Sequence, residues 1–191
     1  MRKIVLASNS PRRKELLRQI GLKFQVKPAK GEEIITKETP WEIAEELSEQ
    51  KALETARSVE EGIIIGADTL VWQDGKPMGK PKTTEDAAAM LQALQGRDHF
   101  VYTGVTVLIK EENQVKRHVF SRKTRVRVFP MTEKEIWDYI RTGEPMDKAG
   151  AYGIQGAFAA WIDEIEGDYN TVVGLPVSAL WQVLKEYLAE E

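Results

Sequence analysis

The chain of 191 residues contains no cysteine, which excludes disulfides, thiolate metal centres and cysteine nucleophiles. Histidine is almost as scarce: His99 and His118 are the whole supply. Both fall in one expected pair of strands, and two isolated imidazoles do not make a metal site, so both read as structural. No G-x-S-x-G elbow occurs, so the serine-hydrolase turn is absent too. No apolar run approaches the roughly 20 residues a membrane helix needs. The net charge is −3, without the basic excess of a nucleic-acid coat, so neither a nucleic-acid polymer nor a membrane is an expected partner. A strand expected from residue 3 leaves no room for a signal peptide, and a cytoplasmic location fits a chain without cysteine. What is present is ordinary for a globular protein: 42% hydrophobic and 30% charged residues, enough for a single domain over residues 1–191 with a real core.

Strand-like and helix-like stretches alternate. Residues 3–7 read as a strand and 11–20 as a helix, with Ser10 at the N-cap, Pro11 at the first helical position and Gly21 at the stop. A short strand is expected at 23–27. Thr39-Pro40 opens a long helix to about Val59. Gly62 to Ala67 is a continuous apolar run, as in a strand buried on both faces. Leu70-Val71-Trp72 and the turn residues Gln73-Asp74-Gly75-Lys76 suggest a hairpin. Thr84 is expected to cap a helix over 85–95 that Gly96 ends. Residues 99–109 and 115–128, rich in Val, Phe, Tyr and Thr, read as a long antiparallel hairpin. Thr132 and Glu135 form a capping box for the next helix. A Gly-rich loop spans 143–160, a short strand 161–165, and a last helix starts near Pro176. The pattern predicts an α/β chain with a mixed sheet.

The stretch Ser8-Asn9-Ser10-Pro11-Arg12-Arg13 poses a question of charge. A helix N-terminus carries partial positive charge, so two arginines in the first turn sit where cations are least welcome. Two readings remain open. Free N–H groups, the Ser8 and Ser10 hydroxyls and two guanidiniums make a site for phosphate oxygens, and a bound anion offsets the dipole. Alternatively the arginines are simply solvated, at a cost of only about a few tenths of a kcal/mol.

Asp68 follows the apolar run at the C-terminal end of a strand, where open α/β sheets place ligands. Asp is a poor strand former, so the carboxylate either serves a cation or an attacking water, or turns the chain before Leu70. In the helix from residue 40, Ala44 and Leu47 mark an apolar stripe that Lys51 continues. Such a lysine snorkels to solvent or reaches a buried anion. Lys80 beside Pro81 lies in a loop, as a solvated lysine or as a group facing the same site. Glu32 and Glu33 follow the second strand, as metal ligands or as surface glutamates. In the stretch from Asp147 to Gly156, Gly150, Gly153 and Gly156 are evenly spaced around Lys148 and Gln155. This is neither a dinucleotide fingerprint nor a Walker A motif. It permits close backbone approach to a ligand, and Gln155 offers both a donor and an acceptor, as a base edge requires.

The stretches LASNSPRRKELL, IIIGADT, GKPKT, MDKAGAYGIQG and VVGLP occur in this order between residues 6 and 176. As a set, they resemble the Maf family. The resemblance implies a nucleoside triphosphate pyrophosphatase that cleaves between the α- and β-phosphates, with a divalent metal, Mg²⁺ or Mn²⁺, as cofactor. It implies the fold of the inosine triphosphate pyrophosphatases: an elongated mixed β-sheet flanked by helices, with a cleft between two lobes, commonly as a homodimer. Arg12, Thr69 and Gln155 match the dTTP/UTP-type subgroup rather than the 7-methyl-GTP type. The likeness assigns Asp68 as proton acceptor, with Lys51 and Lys80 also catalytic. Ser8, Arg12, Arg13, Thr69, Lys148 and Gln155 fall to substrate binding, and Glu33 and Asp68 to the metal. The alternative is a non-enzymatic nucleotide-binding regulator of cell division, for which Asp68 need not matter. An inosine triphosphate house-cleaning enzyme would share the fold but not the SPRR and GIQG stretches.

Overall fold

The computed structural model describes residues 2–112 and 114–188. In chain order the elements are β1 (Ile4–Leu6), α1 (Pro11–Gln19), β2 (Gln25–Val26), α2 (Pro40–Ala56), β3 (Gly62–Gln73), β4 (Lys76–Met78), α3 (Thr84–Leu94), β5 (Asp98–Glu111), β6 (Gln114–Val128), α4 (Glu133–Ile140), β7 (Ile162–Glu166), α5 (Tyr169–Val173) and α6 (Val177–Leu188). The sheet is mixed and seven-stranded, in the order β2-β1-β3-β5-β6-β7, with β4 paired to β3. β1 pairs in parallel with β2 and β3, while β4 runs antiparallel to β3 and β7 to β6. Among the described residues no helix is long and apolar enough to cross a membrane.

The chain divides into two compact units, Met1–Asp68 with Thr103–Arg122 and Gly174–Glu191, and Thr69–Tyr102 with Lys123–Val173. In the first, Val5, Ala7, Ala52, Val59, Ile64 and Leu108 form a buried cluster. Each fully buried large aliphatic side chain contributes about 1.5–3 kcal/mol. α2 lies directly on the sheet because two strand residues have no side chain. A Cβ on Gly66 would fall 2.2 Å from the Ser48 carbonyl oxygen, and one on Gly104 would fall 2.1 Å from that of Ala44. Lys110 Nζ donates to the Ala56 and Val59 carbonyls, at 3.1 and 2.7 Å, tying β5 to the turn that follows α2.

In the second unit, Val71, Val101 and Val126 pack with Met78, Ala149, Ile162 and Val172. Tyr139, Tyr152, Phe158 and Trp161 form an aromatic cluster with ring centroids 4.8–6.0 Å apart. His99, fully buried, shares a 2.7 Å hydrogen bond with the Tyr152 hydroxyl, in keeping with a structural role.

Four local expectations are corrected. The apolar run at 62–67 and the strand at 70–72 are one continuous strand, because residues 71–73 pair with β4 and burial persists across Asp68. Asp68 therefore lies within β3, neither at its end nor in a turn. α3 is capped by Thr83, not Thr84: Thr83 has the extended backbone, and its hydroxyl accepts from Asp86 N–H. The loop at 143–160 carries three short 3₁₀ turns, Glu144–Asp147, Ala149–Ala151 and Ala157–Trp161. α5, one turn long, was not foreseen.

Candidate active site

β1 is buried along its length, and its pairing extends one residue further, with Ala7 N–H donating to the Ile65 carbonyl at 2.8 Å. The chain then turns into α1. Ser10 caps the helix, its hydroxyl accepting from Arg13 N–H, and Pro11 opens it. No acidic residue stands in the first turn. The buried Ser8 hydroxyl accepts from Ser10 N–H at 3.2 Å and from the Arg13 guanidinium at 3.1 Å. Arg13 Nε donates to the Gly174 carbonyl at 2.8 Å. The guanidinium is thus fixed by acceptors from both ends of the sequence. Burial lowers its pKa, Asp68 acts in the opposite sense, and neighbouring Arg12 lowers it further.

Asp68 approaches this corner from β3. Gly66 faces α2, and side chains two apart on a strand share a face, so Asp68 faces α2 as well. Lys51, between Ser48 and Ala52 on that helix, donates to the Asp68 carboxylate. The same ammonium lies 2.8 Å from Glu33 Oε1. Side-chain exposure rises from 12% at Asp68 through 20% at Lys51 to 53% at Glu33. Burial pushes the Asp68 carboxyl above its ordinary range, against the pull of Lys51 and Arg13, and Glu33 adds to the rise. Ser8, Arg13, Glu33, Lys51 and Asp68 therefore occupy one neighbourhood of the first unit. Lys51 reaches a buried anion; it does not snorkel. Arg12 follows Pro11, half-buried, and Glu32 is exposed.

The remaining candidates belong to the second unit. Thr69 follows Asp68 in β3 and is half-buried, and Lys80 is exposed in the loop before α3. Lys148 folds back onto its own turn, donating at 2.7 Å to the Glu144 carbonyl and to Asp147 Oδ1. Gln155 is exposed in a tight turn closed by a 3.1 Å bond from Gly156 N–H to the Gly153 carbonyl. Beneath that turn, the Glu144 carboxylate accepts from the Tyr139 hydroxyl and from Ala157 N–H, both at 2.9 Å.

Sequence reading missed the Gly174 carbonyl and the role of Glu144. For the first, the only sequence signal is the VVGLP stretch, whose glycine adopts a φ of +129° and turns its carbonyl towards Arg13. For the second there is none.

Among the described residues, no group of three or more His, Cys, Asp or Glu side chains could hold a metal ion. Two carboxylates, Glu33 and Asp68, do converge on a single cationic group. That suits Mg²⁺ or Mn²⁺ bound by one or two carboxylates and completed by substrate phosphates.

An α/β fold in which a fixed guanidinium stands beside a buried carboxylate–lysine pair defines a class: α/β proteins whose site residues suit a phosphate-bearing anion. Within that class the chain belongs to the Maf family, described as Maf-like protein, which matches residues 3–187. It is 52% identical to a dTTP/UTP pyrophosphatase of Agathobacter rectalis, covering 97% of this chain and 98% of that one. It is 50% identical to a dTTP/UTP pyrophosphatase of Lachnoclostridium phytofermentans, covering 98% and 96%. Among solved structures, the Ham1 protein of Staphylococcus aureus is 18% identical with a TM-score of 0.47 over 66% of this chain and 71% of that one, too loose a likeness to carry an argument.

Proposed function

We propose that the protein hydrolyses dTTP and UTP to the nucleoside monophosphate and pyrophosphate. The observation that carries this is the convergence of Asp68, Lys51 and Glu33 next to the Ser8–Arg13 pair. Near-full-length identity of about half with two dTTP/UTP pyrophosphatases supports the substrate choice.

Each residue has a chemical task in this reading. Ser8 and Arg13 hold phosphate oxygens at the positive end of α1, and Arg12 adds charge at the same helix end. The anion answers the question raised by two arginines at a helix start: the guest supplies the negative charge that the first turn lacks. Asp68 orients the attacking water and accepts its proton, a role favoured by a pKa above the ordinary carboxylate range. Lys51 keeps the Asp68 carboxylate in place and stabilises charge on the phosphates. Glu33 and Asp68 would hold a divalent cation, which when bound neutralises phosphate charge and aids deprotonation of water. On residue chemistry and the Maf likeness, Lys80 and Lys148 serve the leaving pyrophosphate, and Thr69 and Gln155 the pyrimidine. The Gln155 amide suits a uracil or thymine edge, with its alternating carbonyls and N–H. A cytoplasmic location and a homodimer belong to the same family reading.

The test is pyrophosphate release from the purified protein with Mg²⁺ across a panel of nucleoside triphosphates. The expected result is turnover highest for dTTP and UTP, with the monophosphate as second product. Release of inorganic phosphate instead would mean cleavage at another bond and overturn this reading, and binding without turnover would overturn it in favour of the regulator.

A further inference from the structure

Glu33 stands in the connection from β2 to α2, and what holds that connection is unusual. Residues 30–36 form neither helix nor strand, and their side chains are exposed. Ile34 and Ile35 are 62% and 54% exposed, so apolar burial does not fix the segment. Ordering each backbone residue costs about 1–2 kcal/mol, which directional bonds must then offset.

Those bonds all come from one helix. The Glu54 carboxylate accepts from Lys30 N–H at 2.7 Å and from Gly31 N–H at 2.9 Å. Gln50 Oε1 accepts from Ile34 N–H at 3.0 Å, and its amide nitrogen donates to the Ile34 carbonyl. The Glu46 carboxylate accepts from Thr36 N–H at 2.9 Å and from the Thr36 hydroxyl. Residues 46, 50 and 54 are successive i,i+4 neighbours on one face of α2, and they meet the segment in reverse order, 36, 34 and 31. The side chains serve as the partner strand that the segment lacks. A Cβ on Gly31 would fall 2.6 Å from Glu54 Oε2, so a larger residue there would displace the carboxylate from this rung. Both glutamates have pKa values lowered by these bonds, so they are ionised when they accept them.

Glu33 lies between the Gly31 and Ile34 rungs, and Lys51, which it contacts, follows Gln50 in the chain. We propose that Glu46, Gln50 and Glu54 are positioning residues: a ladder on α2 that holds the 30–36 backbone so that Glu33 presents its carboxylate beside Asp68 for a divalent cation. The inference rests on the reading of Glu33 as a cation ligand.

The test compares Gln50→Leu/Glu54→Leu and the conservative Gln50→Glu and Glu54→Gln, each alone and combined with Glu33→Gln, with Glu33→Gln alone as reference. Two quantities are read: amide hydrogen exchange of Gly31 and Ile34 in the metal-free protein, and the Mg²⁺ concentration at half-maximal pyrophosphate release. The ladder variant is expected to exchange these amides faster than wild type and to need about tenfold more Mg²⁺, with kcat at saturating Mg²⁺ largely kept. The conservative variants should fall between it and wild type. In the Glu33→Gln background the ladder changes should add nothing to the Mg²⁺ requirement. Unchanged exchange, or a Mg²⁺ effect that multiplies with that of Glu33→Gln, overturns the ladder. If Glu33→Gln alone leaves the Mg²⁺ requirement untouched, the ligand reading fails and the ladder's purpose with it. If Glu33→Gln raises the requirement and the ladder variants do not, the ladder alone is wrong. Should the double leucine variant not fold, the two conservative variants decide the question by the same readings.

Discussion

Two aspartates, one in each unit, each stand beside arginine or lysine, and their acidities move in opposite directions. Asp98 accepts from the Arg127 guanidinium at 2.7 and 3.2 Å and from Arg125 at 3.1 Å. Arg125 also reaches Glu164 and Glu166, so Asp98 sits in an open ion network, and its pKa falls to about 2. Asp68 has Lys51 in direct contact and Arg13 nearby, yet its pKa is raised. The difference is burial. Asp98 keeps about a third of its side chain in water, against 12% at Asp68, and there the arginines tip the balance. At Asp68 the loss of water outweighs both cations. The buried aspartate is the one equipped to take up a proton, and the half-exposed one is a brace.

The largest effect that separates them is on turnover. Asp68→Asn keeps the shape and removes the base, and kcat/KM for dTTP should fall by about 10²–10⁴-fold. Asp98→Asn should leave it unchanged. Equal losses in the two variants, read from steady-state pyrophosphate release, would erase the distinction between them.

Next comes stability. Lys51→Met leaves Asp68 buried and Glu33 nearby without their shared cation, at a cost of about 3–5 kcal/mol near neutral pH. The cost should shrink as the pH is lowered, because protonation of Asp68 removes the stranded charge. Urea titrations of wild type and variant at pH 7 and pH 5 would show it. A loss of the same size at both pH values would mean that Lys51 stabilises through its aliphatic stem instead.

How much of this was legible beforehand depended on distance along the chain. The Ser10 cap and the Pro11 start are local, written in adjacent residues, and the structure has them. Lys51 was conspicuous because a lysine interrupts the stripe of Ala44 and Leu47, and the structure supplies its anion. Asp68 was noticed for its chemistry but misplaced at a strand end, since an ionisable residue within a strand looks like a terminus until the partner strand is seen. The Arg13–Gly174 contact joins positions 161 residues apart, and no periodicity encodes it. Gln50 and Glu54 carry no signal in the sequence, because what they bind is backbone, which has no sequence signature.

Burial should also govern the second unit wherever it occurs there, and His99 is the case. Desolvation lowers its pKa from the ordinary 6.5 to about 4, although Asp98 is next to it in the chain. The unfolded chain takes up a proton as the pH falls through 6.5, while the folded protein resists until about 4. Stability is therefore complete above pH 6.5 and declines between 6.5 and 4, by roughly 3 kcal/mol in all. His99→Gln should flatten that part of the stability–pH curve whatever it does to stability at pH 7. An unchanged slope in the variant would show that another group carries the acid sensitivity.

The smallest effect is the most direct check on the exposed side of the comparison. Asp98→Asn strips the network of the carboxylate shared by Arg125 and Arg127, but both arginines keep contacts to Glu164, and Arg125 also keeps Glu166. Every partner is in reach of water and counterions, so the melting temperature should fall slightly at low ionic strength and match wild type at 1 M salt, where the Debye length is about 3 Å. Lys51→Met should keep its deficit at 1 M salt, because ions cannot enter a pair whose carboxylate is this deeply buried. The two salt profiles together separate charge held in water from charge held out of it, and a salt-sensitive Lys51→Met deficit would place Asp68 with Asp98 after all.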